Sequence, residues 1–127
     1  MKLFKNIFII ITAVLLIFSL TGCRNDSTEL IREAVDSINT DEKMHREMEG
    51  LYKVHAEARG DSAIVIVFKA EREDIATLEI SQSVSEKGAP EFKQAVEVMK
   101  ESGIKDAKVV LEFYDQSNKL IYNHVFS

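Results

Sequence analysis

One cysteine, one proline, five glycines and no tryptophan leave this 127-residue chain few specialised routes to a stable structure. A single thiol excludes an internal disulfide framework and any cysteine-based zinc site. The shortage of glycine and proline excludes collagen-like and proline-rich architectures. It also removes the phosphate cradles, because neither G-x-x-x-x-G-K-[ST] nor G-x-G-x-x-G occurs. No G-x-S-x-G elbow is present, and no second thiol is available for a Cys–His pair. Acid is missing from one end: residues 1–22 hold no Asp or Glu, two lysines (Lys2, Lys5) and fifteen apolar residues. The rest of the chain therefore sets fourteen cationic side chains against all 21 acids, a formal charge of −7 rather than the −5 of the whole. With no basic stripe, that body is a poor partner for nucleic acid.

What stands at the N-terminus is an export signal. Met1–Asn6 is short and positive, and Ile7–Leu20 is an uncharged apolar run. Fourteen helical residues reach roughly 21 Å, short of the ~30 Å hydrocarbon core of a bilayer but right for a signal-peptide h-region. Leu20-Thr21-Gly22-Cys23 follows: small residues suit a peptidase that takes a narrow extended substrate, and the thiol lies where it can be alkylated before cleavage. This stretch resembles the lipobox of bacterial lipoproteins, with Thr21 where Ala or Ser is more usual. The resemblance implies that residues 1–22 are removed and that Cys23 becomes a diacylglyceryl-modified N-terminus. An ordinary signal peptide or an uncleaved N-terminal anchor, with Cys23 incidental, is the alternative. The chain's only thiol standing at that one position favours lipidation. One acyl chain gives reversible attachment and two give stable anchoring, so residues 23–27 are expected to form a lipidated start and a short tether. The domain, residues 28–127, is then expected at the extracytoplasmic face of the cell membrane, close to the headgroups.

Within the body, Leu30, Ile31, Ala34, Val35 and Ile38 fall on one helical stripe, and Thr40 is read as the N-cap of a second helix, Asp41–Glu49. Gly50 closes the helical region. Leu51–Arg59 alternates, Gly60-Asp61 turns, and Ser62–Ala70 is the most strand-like run in the chain, together a hairpin. A second helical stretch opens at Arg72 and is expected to break near Gly88-Ala89-Pro90, with Pro90 in the first turn of a helix running to Ser102. Lys108–Tyr114 and Leu120–Phe126 form the last hairpin. The fold class expected is α+β in helix–hairpin–helix–hairpin order, with helices packed on one face of a four-stranded antiparallel sheet.

That organisation resembles small Gram-positive-type lipoproteins of a family without an assigned function. The shared features are an acidic helical start, a middle hairpin, and the closing pattern Val109-Val110-Leu111-Glu112-Phe113-Tyr114-Asp115, turn, Leu120-Ile121-Tyr122-Asn123-His124-Val125-Phe126. The resemblance supports a lipoprotein with one small domain and implies no activity.

Candidate chemistry in the body is sparse. His55 and His124 lie on strands of different hairpins and could meet across a sheet, with Glu57 or Glu112 nearby. The alternation of His55 with Lys53 and Glu57 argues instead for a solvated face. Glu71, Glu73 and Asp74 are accounted for as helix N-terminal charge, worth roughly 0.3–1 kcal/mol each. No catalytic residue, metal site or cofactor is expected. If Phe113 points into the core, Tyr114 points away from it. Tyr114 and Tyr122 are accordingly the candidate contact residues for a protein or small-molecule partner, and an edge strand could take one by strand addition. The expectation is a non-enzymatic, membrane-anchored binding module, with an inhibitor or immunity-type protein acting on an envelope enzyme or toxin as the alternative.

Overall fold

The computed structural model describes residues 27–127; the signal-peptide and lipobox readings and Cys23 lie outside the described residues. The order of elements is α1 (Ser27–Thr40), α2 (Glu42–Met48), β1 (Tyr52–Arg59), β2 (Ala63–Ala70), a 3₁₀ turn (Glu73–Ile75), α3 (Leu78–Glu101), β3 (Lys108–Tyr114) and β4 (Leu120–Phe126). The four strands form one sheet in the order β1-β2-β3-β4. Among the described residues, no helix is long and apolar enough to cross a membrane.

Local chemistry sets the boundaries. Asp41, not Thr40, caps α2: its carboxylate accepts from the Met44 N–H at 3.0 Å, while Thr40 donates back to the Asp36 carbonyl at 2.7 Å as the last residue of α1. Gly50 adopts φ +82° in the turn before β1, a conformation that costs a side-chain-bearing residue. The Gly50 N–H donates to Glu71 at 2.7 Å, so Glu71 clasps the start of β1 to the end of β2 rather than charging a helix terminus. Arg72 and Asp74 form an ion pair beside it.

The sheet is mixed, which corrects the antiparallel expectation. Both hairpins are antiparallel, but β2 and β3 pair in parallel, from Ala63↔Lys108 to Lys69↔Tyr114. The cause is α3, a single helix of 24 residues where a break at Gly88-Ala89-Pro90 was expected. At about 1.5 Å per residue it runs roughly 36 Å, enough to carry the chain back past a strand and start β3 at the same end as β2. Its buried residues Ser81, Val84, Ser85, Gly88, Phe92, Ala95, Val96 and Met99 form one unbroken stripe. Pro90 sits on the exposed side, where the Glu86 carbonyl it leaves without an N–H faces water.

All helices lie on one face of that sheet. α1 packs on β1 and β2, α2 on β1, and α3 on β3 and β4. The main core joins Leu30, Ile31, Ile38, Met44, Phe92 and Met99 from the helices to Val54, Ile64, Ile66, Phe68, Leu111, Phe113 and Phe126 from the strands. A ladder of rings crosses the sheet beneath them: Tyr52 edge-on to Phe68 at 5.8 Å, Phe68 stacked on Phe113 at 4.7 Å, and Phe113 tilted against Tyr122 at 6.2 Å.

Candidate functional site on the open sheet face

Among the described residues no helix lies on the other face, and register places its residues in rows. Lys53, Lys69 and Tyr114 form one row, with Tyr114 opposite Leu120. His55, Val67, Glu112 and Asn123 form the next, and Glu57, Val65, Val110 and Val125 the third. Val65, Val67 and Val110 make a second, separate apolar cluster with Tyr114 packed against it. Val65 is 0 % exposed on a face that none of the described helices covers. Charged side chains provide the roof. Arg59 reaches from β1 across β2 to Glu112 on β3, with Nη2 3.3 Å from Oε2, and the same nitrogen lies 3.6 Å from Glu57. A long aliphatic stem ending in a charge can cover apolar surface while keeping its head wet.

Glu112 is the centre of this network. Its side chain is only 12 % exposed, and its second oxygen accepts from the Tyr114 hydroxyl at 3.0 Å. A carboxylate at that depth needs its charge balanced and its lone pairs filled, and Arg59 and Tyr114 do both. Desolvation first, then the hydrogen bond to Glu112 and its charge, hold the Tyr114 phenol above its ordinary pKa. Beside the network lies a depression of about 360 Å³, lined by Lys53, His55, Glu57, Val67, Lys69, Glu112, Tyr114 and Asn118.

The residues singled out in the sequence are distributed as follows. Tyr114 lies on the open face, half-buried, with Phe113 fully buried on the other side of the strand. Tyr122 turns to the helix side, where it packs against the main core and stacks on His124 at 6.4 Å. The two tyrosines therefore do not share a surface. His55 and His124 stand on opposite edge strands and opposite faces and do not meet. His45 sets Nε2 3.2 Å from the Ile38 and Asn39 carbonyls at the end of α1, a helix-terminus contact. No group of three or more His, Cys, Asp or Glu side chains placed to hold a metal ion occurs among the described residues.

Two features escaped sequence reasoning. Arg59 stands in the sequence only as the last residue of an alternating strand, and its partner Glu112 is 53 positions away. The opposition of Lys53 and Lys69 depends on hairpin register, which the Gly60-Asp61 turn can fix in principle. No family model matches the chain, and neither a curated protein nor a solved structure matches it.

Proposed function

We propose that this chain is an extracytoplasmic lipoprotein, anchored through Cys23, whose folded domain is a non-enzymatic binding module that receives its partner on the open sheet face. The observation that carries the binding reading is the construction of that face: a small apolar floor, a buried carboxylate held by Arg59 and Tyr114, and an adjoining depression. Binding sites combine an apolar lining with a few fixed polar groups in this way. The Glu112 carboxylate is already committed to an ion pair and a hydrogen bond, an arrangement suited to orienting a surface rather than moving protons. The anchoring reading rests on Leu20-Thr21-Gly22-Cys23 after an uncharged apolar run.

Two measurements on the full chain in a bacterial host test the two halves. Metabolic labelling with an alkyne-bearing fatty acid is expected to mark the wild type and not Cys23→Ser, which should accumulate as precursor; normal processing of that variant would sink the anchor. A photo-crosslinking residue placed at Val125, exposed on the open face, is expected to yield defined adducts that the same residue at Lys93 on α3 does not. Equal adducts from both positions, or none from Val125, would remove the open face as the binding surface.

A further inference from the structure

Lys53 and Lys69 are direct cross-strand partners on the open face. Like charges directly opposed across a strand pair destabilise a sheet, so such a pair runs against the stability of its own fold. Neighbouring acids do not relieve it. Glu57 and Glu112 are engaged with Arg59, and among the described residues no carboxylate lies within ion-pair distance of either ammonium. His55 stands one row further along the same face, and all three side chains line the depression beside Val67 and Tyr114. Two ammonium groups without an ion-pair partner among the described residues thus sit beside His55 on a body whose formal charge is −7.

We propose that Lys53, Lys69 and His55 form an oxyanion subsite for a phosphate monoester, whose organic body lies along Val67 and the Tyr114 ring. This rests on the open face being the binding surface and names the chemistry it takes. Two features select a phosphate monoester over a carboxylate. Its charge near neutral pH, about −1.5 to −2, matches two ammonium groups, where a carboxylate offsets one. Lysine heads are point charges that suit a compact tetrahedral anion, whereas a planar carboxylate is best met by an arginine fork, and Arg59 is already occupied. Where a ligand's charge offsets the repulsion between the lysines, binding relieves a conflict present in the free protein.

The test uses the full chain in a nonionic detergent near neutral pH, with phenyl phosphate as probe and benzoate as control. Proton resonances of the three histidine rings report on location. Phenyl phosphate is expected to shift His55 saturably while leaving His45 unmoved, and benzoate to bind about tenfold more weakly or worse. Lys53→Gln/Lys69→Gln is expected to lose at least about tenfold in affinity while melting no lower than the wild type, because the opposed charges are gone. Lys93→Gln should change neither. The proposal is overturned by the absence of a saturable His55 shift, by equal affinity in the double variant, or by benzoate binding as tightly. Phosphatidylcholine vesicles with and without phosphatidic acid then separate the sources: competition with phenyl phosphate assigns the monoester to a lipid headgroup, and no competition assigns it to a soluble ester. If the probe fails while the Val125 adducts persist, the subsite falls and the open-face reading stands; if the adducts fail as well, both fall.

Discussion

The two faces of β2 are built from nearly the same residues and covered by opposite means. Ile64, Ile66 and Phe68 are shielded by helices, and Val65 and Val67 by the charged side chains of neighbouring strands. A helical cover brings its own apolar surface and makes a core. A roof of Arg59, Glu57 and Glu112 excludes water with little apolar surface of its own, and it leaves its edges open to a ligand. Stability should therefore concentrate on one face and recognition on the other.

The largest effect follows on the covered face. Phe113 is fully buried at the middle of the ring ladder, so Phe113→Ala is expected to cost about 3–5 kcal/mol in urea unfolding. Val67→Ala on the open face deletes two methyl groups and should cost about 1–2 kcal/mol, less than the same deletion, Val109→Ala, on the covered face. Equal losses would mean that the roof packs as a core does.

Tyrosine titration sharpens the same contrast. On the covered side, burial pushes the Tyr52 phenol up to about 12. Its neutral form is favoured in the folded state, so that stability is fully present below the ordinary value of about 10 and is lost as pH rises through the folded value. Over that window the loss is about 1.4 kcal/mol per pH unit. Tyr52→Phe should flatten this alkaline slope. It sacrifices only a long hydrogen bond, 3.4 Å from the hydroxyl to the Ile75 carbonyl.

Much of this division was legible in the sequence. The alternation of Tyr52, Val54 and Ala56 with Lys53, His55 and Glu57 identified a strand with one dry and one wet side, and Phe113-Tyr114 split across the sheet as the strand period requires. The parallel centre was not read, although a signal existed. Ala63–Phe68 and Val109–Leu111 are continuous apolar runs, the mark of strands buried on both faces, while the edge strand β1 alternates. Pro90 misled because proline does stop most helices; here it falls on the solvent side of a stripe long enough to continue. The Arg59–Glu112 contact was beyond reach, since it depends on which strands become neighbours, whereas the Lys53–Lys69 opposition follows from the register of the first hairpin.

The two edges of the sheet offer a smaller comparison. At β1, Asn39 stands in for a missing strand: its amide donates to the Ala56 carbonyl at 2.9 Å and its oxygen accepts from the Ala56 N–H at 2.7 Å. The side chain reaches there because α1 ends alongside β1. At β4, the seven residues Leu120–Phe126 include no Asp, Glu, Lys or Arg, and Val125 is 48 % exposed. Unprotected edges invite further strands, so Asn39 blocks strand addition on β1 at Ala56, a protection that no hydrogen bond among the described residues gives β4. Asn39→Ala is expected to cost about 1–2 kcal/mol and to speed hydrogen exchange at the Ala56 amide. Asn39→Asp, which keeps the acceptor and loses the donor, should retain protection of that amide.

The smallest effect tests how the roof holds. Arg59 is 55 % exposed, so its ion pair with Glu112 is largely screened and should contribute about 1 kcal/mol or less. If the stem's contact with Val65 matters more than the charge, Arg59→Met will unfold close to the wild type and Arg59→Ala below it. If the charge dominates, both will fall alike. Tyr114 reports independently, because the Arg59 charge lowers its phenol pKa while desolvation and Glu112 raise it. Arg59→Met should therefore move the Tyr114 titration further up. Glu112→Gln, which removes that carboxylate's charge while desolvation and the Glu57 charge still raise the phenol and Arg59 still lowers it, should move it back toward the ordinary value. Ultraviolet titration of the phenolate in the two variants, with Tyr52→Phe as background, gives shifts of opposite sign if one carboxylate binds both groups. Shifts of the same sign would show that the network does not operate as a unit.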